Sequence, residues 1–262
     1  MRSYPRSYGY RFDWRGMFTP AIKTLVIANA AVFLAQGFVA WEGIGGSKAA
    51  YEGLIKWFGL IPSAVIPGLR IWQPFTYLFL HDGVWHLLMN MLVLWMFGRD
   101  LEMAWGKRRF YIYYFVCGVG AGLINIVAKS IPLAWGAEPS IVATIGASGA
   151  IYGILIAMAM VFPDRQVWLI PFPIVLRMKV LVLIIGAIAF FSSLGSAGDN
   201  ISHISHLGGM LVGYVYLRRG SFFYGWRNFY THWKRKRIKR KFEVYMRNSQ
   251  DKPPSRPDNW VN

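Results

Sequence analysis

The sequence predicts an all-α, polytopic membrane protein, a bundle of six transmembrane helices. Three observations carry that expectation. Hydrophobic residues make up 55% of the chain and charged residues only 16%, well below the roughly 25% of a soluble domain. The charges cluster, which leaves uncharged gaps long enough for a hydrocarbon core, whose crossing takes about 20 helical residues. The Lys and Arg residues also fall mainly on alternate connections, the pattern that sets orientation in membranes.

Six segments meet the length and polarity requirement: 19–41, 77–98, 110–129, 141–162, 178–196 and 200–217. The first lacks a small-residue cleavage site and is long enough to span, so it reads as a helix rather than a cleavable signal. The expected organisation is a cytoplasmic N-terminal arm over 1–18, a six-helix core over 19–217 and a basic cytoplasmic tail over 218–262.

Arg2, Arg6, Arg11 and Arg15 precede the first span. Arg99, Lys107, Arg108 and Arg109 join spans two and three, and Arg165, Arg177 and Lys179 join four and five. Thirteen Lys and Arg follow from Arg218 onward. The opposite side carries only Lys48, Lys56, Arg70 and Lys129. Both termini are therefore expected in the cytoplasm, which requires an even number of spans. The expected setting is a bacterial inner membrane. The net charge of +17 raises nucleic acid as a partner. The basic run from Lys234 to Lys241 follows a span closely, however, so anionic lipid is the expected partner of the tail and no nucleic acid is expected.

The connection 42–74 is rich in Gly and Pro, yet holds Trp57, Phe58, Leu60, Ile61 and Trp72. Such groups predict that it packs on the protein or dips into the bilayer interface. The single cysteine, Cys117, allows no intrachain disulfide and reads as a small apolar packing residue. Small residues recur at spacing four in Gly118 and Gly122, Gly149 and Gly153, and Gly209 and Gly213. That pattern lets membrane helices approach closely.

Polar groups inside spans are costly and usually functional. His86 and Asn90 lie on one face of the second span, four residues apart. Ser148 and Tyr152 share a face of the fourth, and His203 and His206 lie in the sixth. Ser148 is a candidate nucleophile and His206 its base. Asn90, His86 and the Ser148 backbone N–H are candidate donors to an oxyanion, and Tyr152 a platform for the imidazole. No carboxylate is available as a third member, so the expected site is a dyad. Taken alone, the run Gly146-Ala147-Ser148-Gly149 reads as helix packing. Its fifth position is Ala150, which departs from the soluble hydrolase elbow.

Several motifs occur in order around these residues: Trp72-Gln73, Phe75-Thr76, HDGVWHLLMNM from His81 to Met91, FGRDLE with Gly98 and Glu102, GASGAIYG from Gly146, and HLGGMLVG from His206. Together they resemble the rhomboid family of intramembrane serine proteases, over roughly residues 54–217. The resemblance implies a six-helix rhomboid-like bundle and a serine endopeptidase that cuts peptide bonds in or near transmembrane segments of membrane proteins. It implies Ser148 as nucleophile, His206 as general base, Asn90 and His86 on the oxyanion side, Tyr152 under the imidazole and Gly149 as the small residue after the nucleophile. Glu102 matches a structural acid. Many members carry Trp-Arg where this chain has Trp72-Gln73, which removes the usual arginine contacts of the first connection. His81 is expected to brace a loop, and His203 to bond water or backbone. No cofactor or metal is expected: there is no His-Glu-x-x-His motif, and no intramembrane carboxylate joins the histidines.

Overall fold

The first helix, α1 (Pro20–Ala40), starts on a proline, whose missing N–H is one of the donors that a helix start leaves unpaired. The next donors find an acid from far along the chain. The Ala21 N–H donates to Glu102 Oε1 at 2.8 Å and the Ile22 N–H to Oε2 at 3.1 Å. The Thr19 hydroxyl donates to the same carboxylate. Glu102 is buried, and its charge faces the positive end of the helix dipole. Replacing Glu102 with Ala is expected to remove about 2–4 kcal/mol of stability, because two buried N–H groups lose a charged acceptor. A thermal melt in detergent checks this, with Glu102→Gln, which keeps one acceptor, falling between the two.

The computed structural model of the chain describes residues 18–66, 68–131, 136, 138, 141–169, 174–195 and 203–218. Within the first connection, α2 (Lys48–Phe58) is started by the Ser47 hydroxyl, which accepts from the Ala50 N–H at 3.1 Å. Helical spacing puts Tyr51, Leu54, Ile55 and Phe58 on one face and Lys48, Glu52 and Lys56 on another. None of its residues is buried, so α2 is an amphipathic helix of the interfacial kind. Short helices α3 (Pro62–Val65) and α4 (Gln73–Thr76) follow.

The four carbonyls at the end of α2 all find partners. The Gly59 N–H donates to Ile55 O at 2.8 Å. Arg70 Nη1 and Gln73 Nε2 donate to Lys56 O at 2.8 and 3.0 Å. Trp72 Nε1 reaches Trp57 O at 2.9 Å, and Thr76 Oγ1 reaches Phe58 O at 2.7 Å. Gln73 is fully buried and also accepts from the Ile61 N–H at 3.0 Å. Gln73 and Arg70 thus supply a cap where the family's arginine was missed in the sequence. Arg70 does so with its guanidinium 4.6 Å over the Trp57 ring.

Within the expected second span, 77–98, the helical part is expected to begin near Gly83 with His81 on the connection, and it does. Tyr77–Phe79 form a separate tight turn, and the helix begins only at Val84, as α5 (Val84–Val93). It continues through a π-helical stretch, Leu94–Gly98, into α6 (Arg99–Trp105). The pieces Gln73–Phe79 and Val84–Trp105 meet at 97°. Gly83, with φ 88° and ψ 166°, makes the corner, in a conformation that a side chain would strain.

Helix α7 (Lys107–Ser130) is the core helix. Its buried residues Phe110, Tyr113, Tyr114, Cys117, Gly118, Ala121, Gly122, Asn125 and Ile126 keep a strict three-and-four spacing, one continuous face. Cys117 is buried in that face, as a packing residue. The fourth span departs from expectation: 141–147 are not helical, and α8 runs only over Ser148–Val161. After it comes a small antiparallel hairpin, β1 (Gln166–Leu169) and β2 (Ile174–Arg177), paired Trp168 to Val175. Its base is tied by Met178 N–H to Arg165 O at 2.8 Å, by Arg165 to Asp100, and by Lys179 to Asp164 at 2.9 Å. The Lys179 hydrogen bond holds the Asp164 carboxyl below its usual pKa. Helix α9 (Met178–Gly195) and α10 (203–218) follow.

Among the described residues two helices, α1 and α7, are each long and apolar enough to cross a membrane, and the bent pair Gln73–Phe79 with Val84–Trp105, counted as one span, makes a third. Helices α8 and α9 are shorter and apolar. Leu34, Phe38, Leu183, Phe191 and Leu211 point outward, as side chains facing lipid do. The chain divides into two compact units, Met1–Tyr216 and Leu217–Asn262. The expected arm over 1–18, apart from Phe18, and the expected tail over 218–262, apart from Arg218, lie outside the described residues.

Candidate active site

Ser148 is the first residue of α8, not a mid-helix residue. The strand-like approach to it is pinned on both sides: Leu60 and Thr144 exchange two backbone bonds of 2.9 Å, and the Gly146 N–H donates to Tyr77 O at 2.9 Å. These bonds satisfy non-helical backbone at membrane depth, which lipid would leave unpaired. Gly146 has φ 119°, and a Cβ there would lie 2.9 Å from both Nε2 and Cε1 of His86. Only glycine serves that turn. Because α8 begins at Ser148, its first backbone N–H groups have no intrahelical acceptor and point out of the helix start.

His206 is brought to Ser148 by the glycines. A Cβ on Gly209 would fall on the Gly149 carbonyl oxygen, and one on Gly213 would lie 3.2 Å from Gly153 Cα. With all four positions bare, α10 lies directly on α8, and His206 Nε2 comes to 2.9 Å from Ser148 Oγ. The imidazole lies flat on the Tyr152 ring, 4.0 Å between centroids and 4° between planes. Its Nδ1 has no hydrogen-bond partner among the described residues. The ring is therefore held by stacking on Tyr152 instead of by a carboxylate. A hydroxyl within hydrogen-bond reach of an imidazole nitrogen is placed to lose its proton to that ring.

On the other side, α5 presents His86 beside Gly146. The Asp82 N–H donates to His86 Nδ1 at 3.2 Å, a capping interaction across the start of α5. With Nδ1 accepting, a neutral His86 carries its proton on Nε2, the nitrogen next to Gly146. Asn90 is buried, and its Nδ2 donates to the His86 carbonyl at 2.8 Å, leaving a second N–H on the same nitrogen.

His81 braces, as expected. It is fully buried, and its backbone is clamped by the Gln36 amide, which accepts from His81 N–H at 3.1 Å and donates to His81 O at 3.2 Å. Its ring meets His86 edge-on at 5.2 Å. His203 stands edge-on to His206 at 6.0 Å. Among the described residues no three His, Cys, Asp or Glu side chains converge where they could hold a metal ion.

Sequence reasoning missed three supports. Gln36 in α1 was one, and the others are Asn125 and Ser205, both buried, joined by Asn125 Nδ2 to Ser205 Oγ at 2.9 Å. That bond ties α7 to the residue beside His206. Each lies inside an apolar stretch, so the rule that singled out His86 and Asn90 also applied to them.

A family model, the Rhomboid domain, matches residues 68–221, more than half of the chain, a stretch that includes His86, Asn90, Ser148, Tyr152 and His206. The chain belongs to the rhomboid family. Among curated rhomboid relatives, Rhomboid protease GluP of Bacillus subtilis (strain 168) is 30% identical over 172 residues, 65% of this chain and 30% of that protein. RHOMBOID-like protein 4 of Arabidopsis thaliana is 32% identical over 239 residues, 82% of this chain and 57% of the relative. Rhomboid protein 1, mitochondrial, of Saccharomyces cerevisiae is 31% identical over 140 residues, 53% of this chain and 38% of the relative. This rhomboid chain thus spans less than two thirds of the length of each of these relatives.

Proposed function

We propose that this rhomboid is an intramembrane serine endopeptidase working by a Ser148–His206 dyad on transmembrane segments of membrane proteins. The observation that carries the reading is the 2.9 Å approach of His206 Nε2 to Ser148 Oγ, with the ring flat on Tyr152. In the proposed reaction Ser148 Oγ attacks the scissile carbonyl carbon while His206 Nε2 takes its proton. The tetrahedral oxyanion is met by the free N–H groups at the start of α8, by His86 Nε2 and by the second N–H of Asn90. His206 returns the proton to the leaving amine, leaving an ester on Ser148. A water then attacks the ester carbon while giving a proton to His206, which passes it to Ser148 Oγ as the C–O bond breaks and the acid product leaves.

Depth supports access to water. Helix α8 has 14 residues, and at about 1.5 Å each it covers roughly 21 Å of a hydrocarbon core about 30 Å thick. With its far end at the Pro163–Asp164 turn, Ser148 stands roughly 9 Å below the opposite surface. A substrate helix hides its peptide bonds in its own hydrogen bonds, so substrates carry Gly or Pro near that surface, where the helix can unwind. The Arg and Lys distribution supports both termini in the cytoplasm, with the tail over 218–262 lying on anionic lipid.

Incubation of the purified protein with a panel of transmembrane substrates, with products read by mass spectrometry, tests the reading. Labelling of Ser148 by a fluorophosphonate tests the nucleophile separately. His86→Ala is expected to lower kcat by about 10²–10³ with little change in KM, the signature of a lost oxyanion donor. A change confined to KM would assign His86 to substrate binding instead.

A further inference from the structure

A cavity of about 260 Å³ lies between α1 and α2, walled by Val32 and Ala35, by Leu54 and Phe58, and by Phe79 and Leu80. We propose that it is a binding site for one acyl chain of a membrane phospholipid. Only two polar side chains, Gln36 and Thr76, reach the wall. Both are committed: Gln36 to the His81 backbone, and Thr76 Oγ1 to Phe58 O at 2.7 Å and Trp72 O at 3.2 Å. A buried water requires two to four polar partners, and this wall has none to spare. An apolar cavity of about 150 Å³ already takes up benzene, so this one has room for a longer stretch of hydrocarbon.

The surroundings indicate where that hydrocarbon comes from. Beside the lining residues, Leu34 and Phe38 of α1 and Trp57 of α2 are more than half exposed, so the neighbouring surface is lipid-facing. Trp41 and Trp57 mark the level of the headgroups, and Lys48 and Lys56 stand on the polar face of α2, complementary to a lipid phosphate. A chain in the cavity packs against Leu80 and Gln36. It therefore backs the segment that ends in the Asp82 N–H, the group that orients His86.

The full chain in nanodiscs made with a phospholipid carrying a diazirine near the end of one acyl chain tests this. Irradiation and peptide mapping are expected to place adducts at 32–36, 54–58 and 76–80 in preference to the lipid-facing residue Leu183 of α9. Ala35→Phe fills the cavity, and adducts at those segments are expected to fall about tenfold, equivalent to losing about two buried methylene groups, while those on α9 stay constant. Even labelling of both surfaces, or a pattern unchanged in Ala35→Phe, would overturn the proposal. If Ala35→Phe does not fold, Leu54→Trp fills the same space from α2. No arm reads proteolysis, so the site stands or falls apart from the catalytic reading.

Discussion

Replacing Ser148 with Ala is expected to reduce cleavage of a transmembrane substrate by about four to six orders of magnitude, to the background rate. The change removes one oxygen and little else. Ser148 is the first residue of α8, and no side chain caps that helix start, so the helix does not depend on the hydroxyl. Expression and melting temperature should therefore match the parent. His206→Ala is expected to cost about as much, and the double variant no more than either single one, because the two groups act as a unit. Cleavage at the same bond by Ser148→Ala protein would remove Ser148 from the mechanism. Strictly additive losses in the double variant would separate the two residues.

The second large effect is expected at a residue that touches no substrate. Gly209→Ala puts a methyl group on the Gly149 carbonyl oxygen, well inside the about 3.3 Å at which carbon and oxygen meet. A backbone carbonyl cannot rotate away, so α10 must retreat from α8. His206 retreats with it, while Ser148 stays on α8. A displacement of about 1 Å is enough to cost roughly 10²-fold in rate, and the disturbed packing about 1–3 kcal/mol in stability. Gly37→Ala is the control, since nothing lies within 4 Å of a Cβ there. It is expected to leave activity unchanged and, by helix propensity, to stabilise α1 slightly. The comparison needs a turnover assay and a thermal melt on both variants. Full activity in Gly209→Ala would show that the helices approach with room to spare.

The parts of the protein legible in the sequence are those that depend on neighbours a few residues away or on composition. Apolar runs marked out α1, α7, α9 and α10 to within a few residues of their ends. Glycines at spacing four marked the α8–α10 contact, because a missing side chain is visible without knowing the partner. Ser148, Tyr152 and His206 stood out as polar or aromatic groups among small and apolar ones. Hydropathy could not find where α8 begins, since 141–147 are as apolar as the helix after them. Their extended form comes from pairing with Leu60 and Tyr77, more than sixty residues earlier. In the second span the apolar run opens at Tyr77, but the expected helix start lies near Gly83 with His81 on the connection, and the helix starts at Val84; the corner at Gly83 is a matter of backbone angle, not hydrophobicity.

By itself, then, the sequence determined the membrane class, the family resemblance and the residues available for chemistry, all properties of residue type, spacing and order. Tertiary structure alone decided that Ser148 opens a helix and that Gln73 and Arg70 together cap α2. It also decided that Glu102 caps α1 from about eighty residues away and that Gln36 holds His81. The reason is common to all of these. An unpaired backbone group at a helix end or a break must find a partner, and the chain satisfies it with whichever side chain the packing brings within reach, wherever that lies in the sequence.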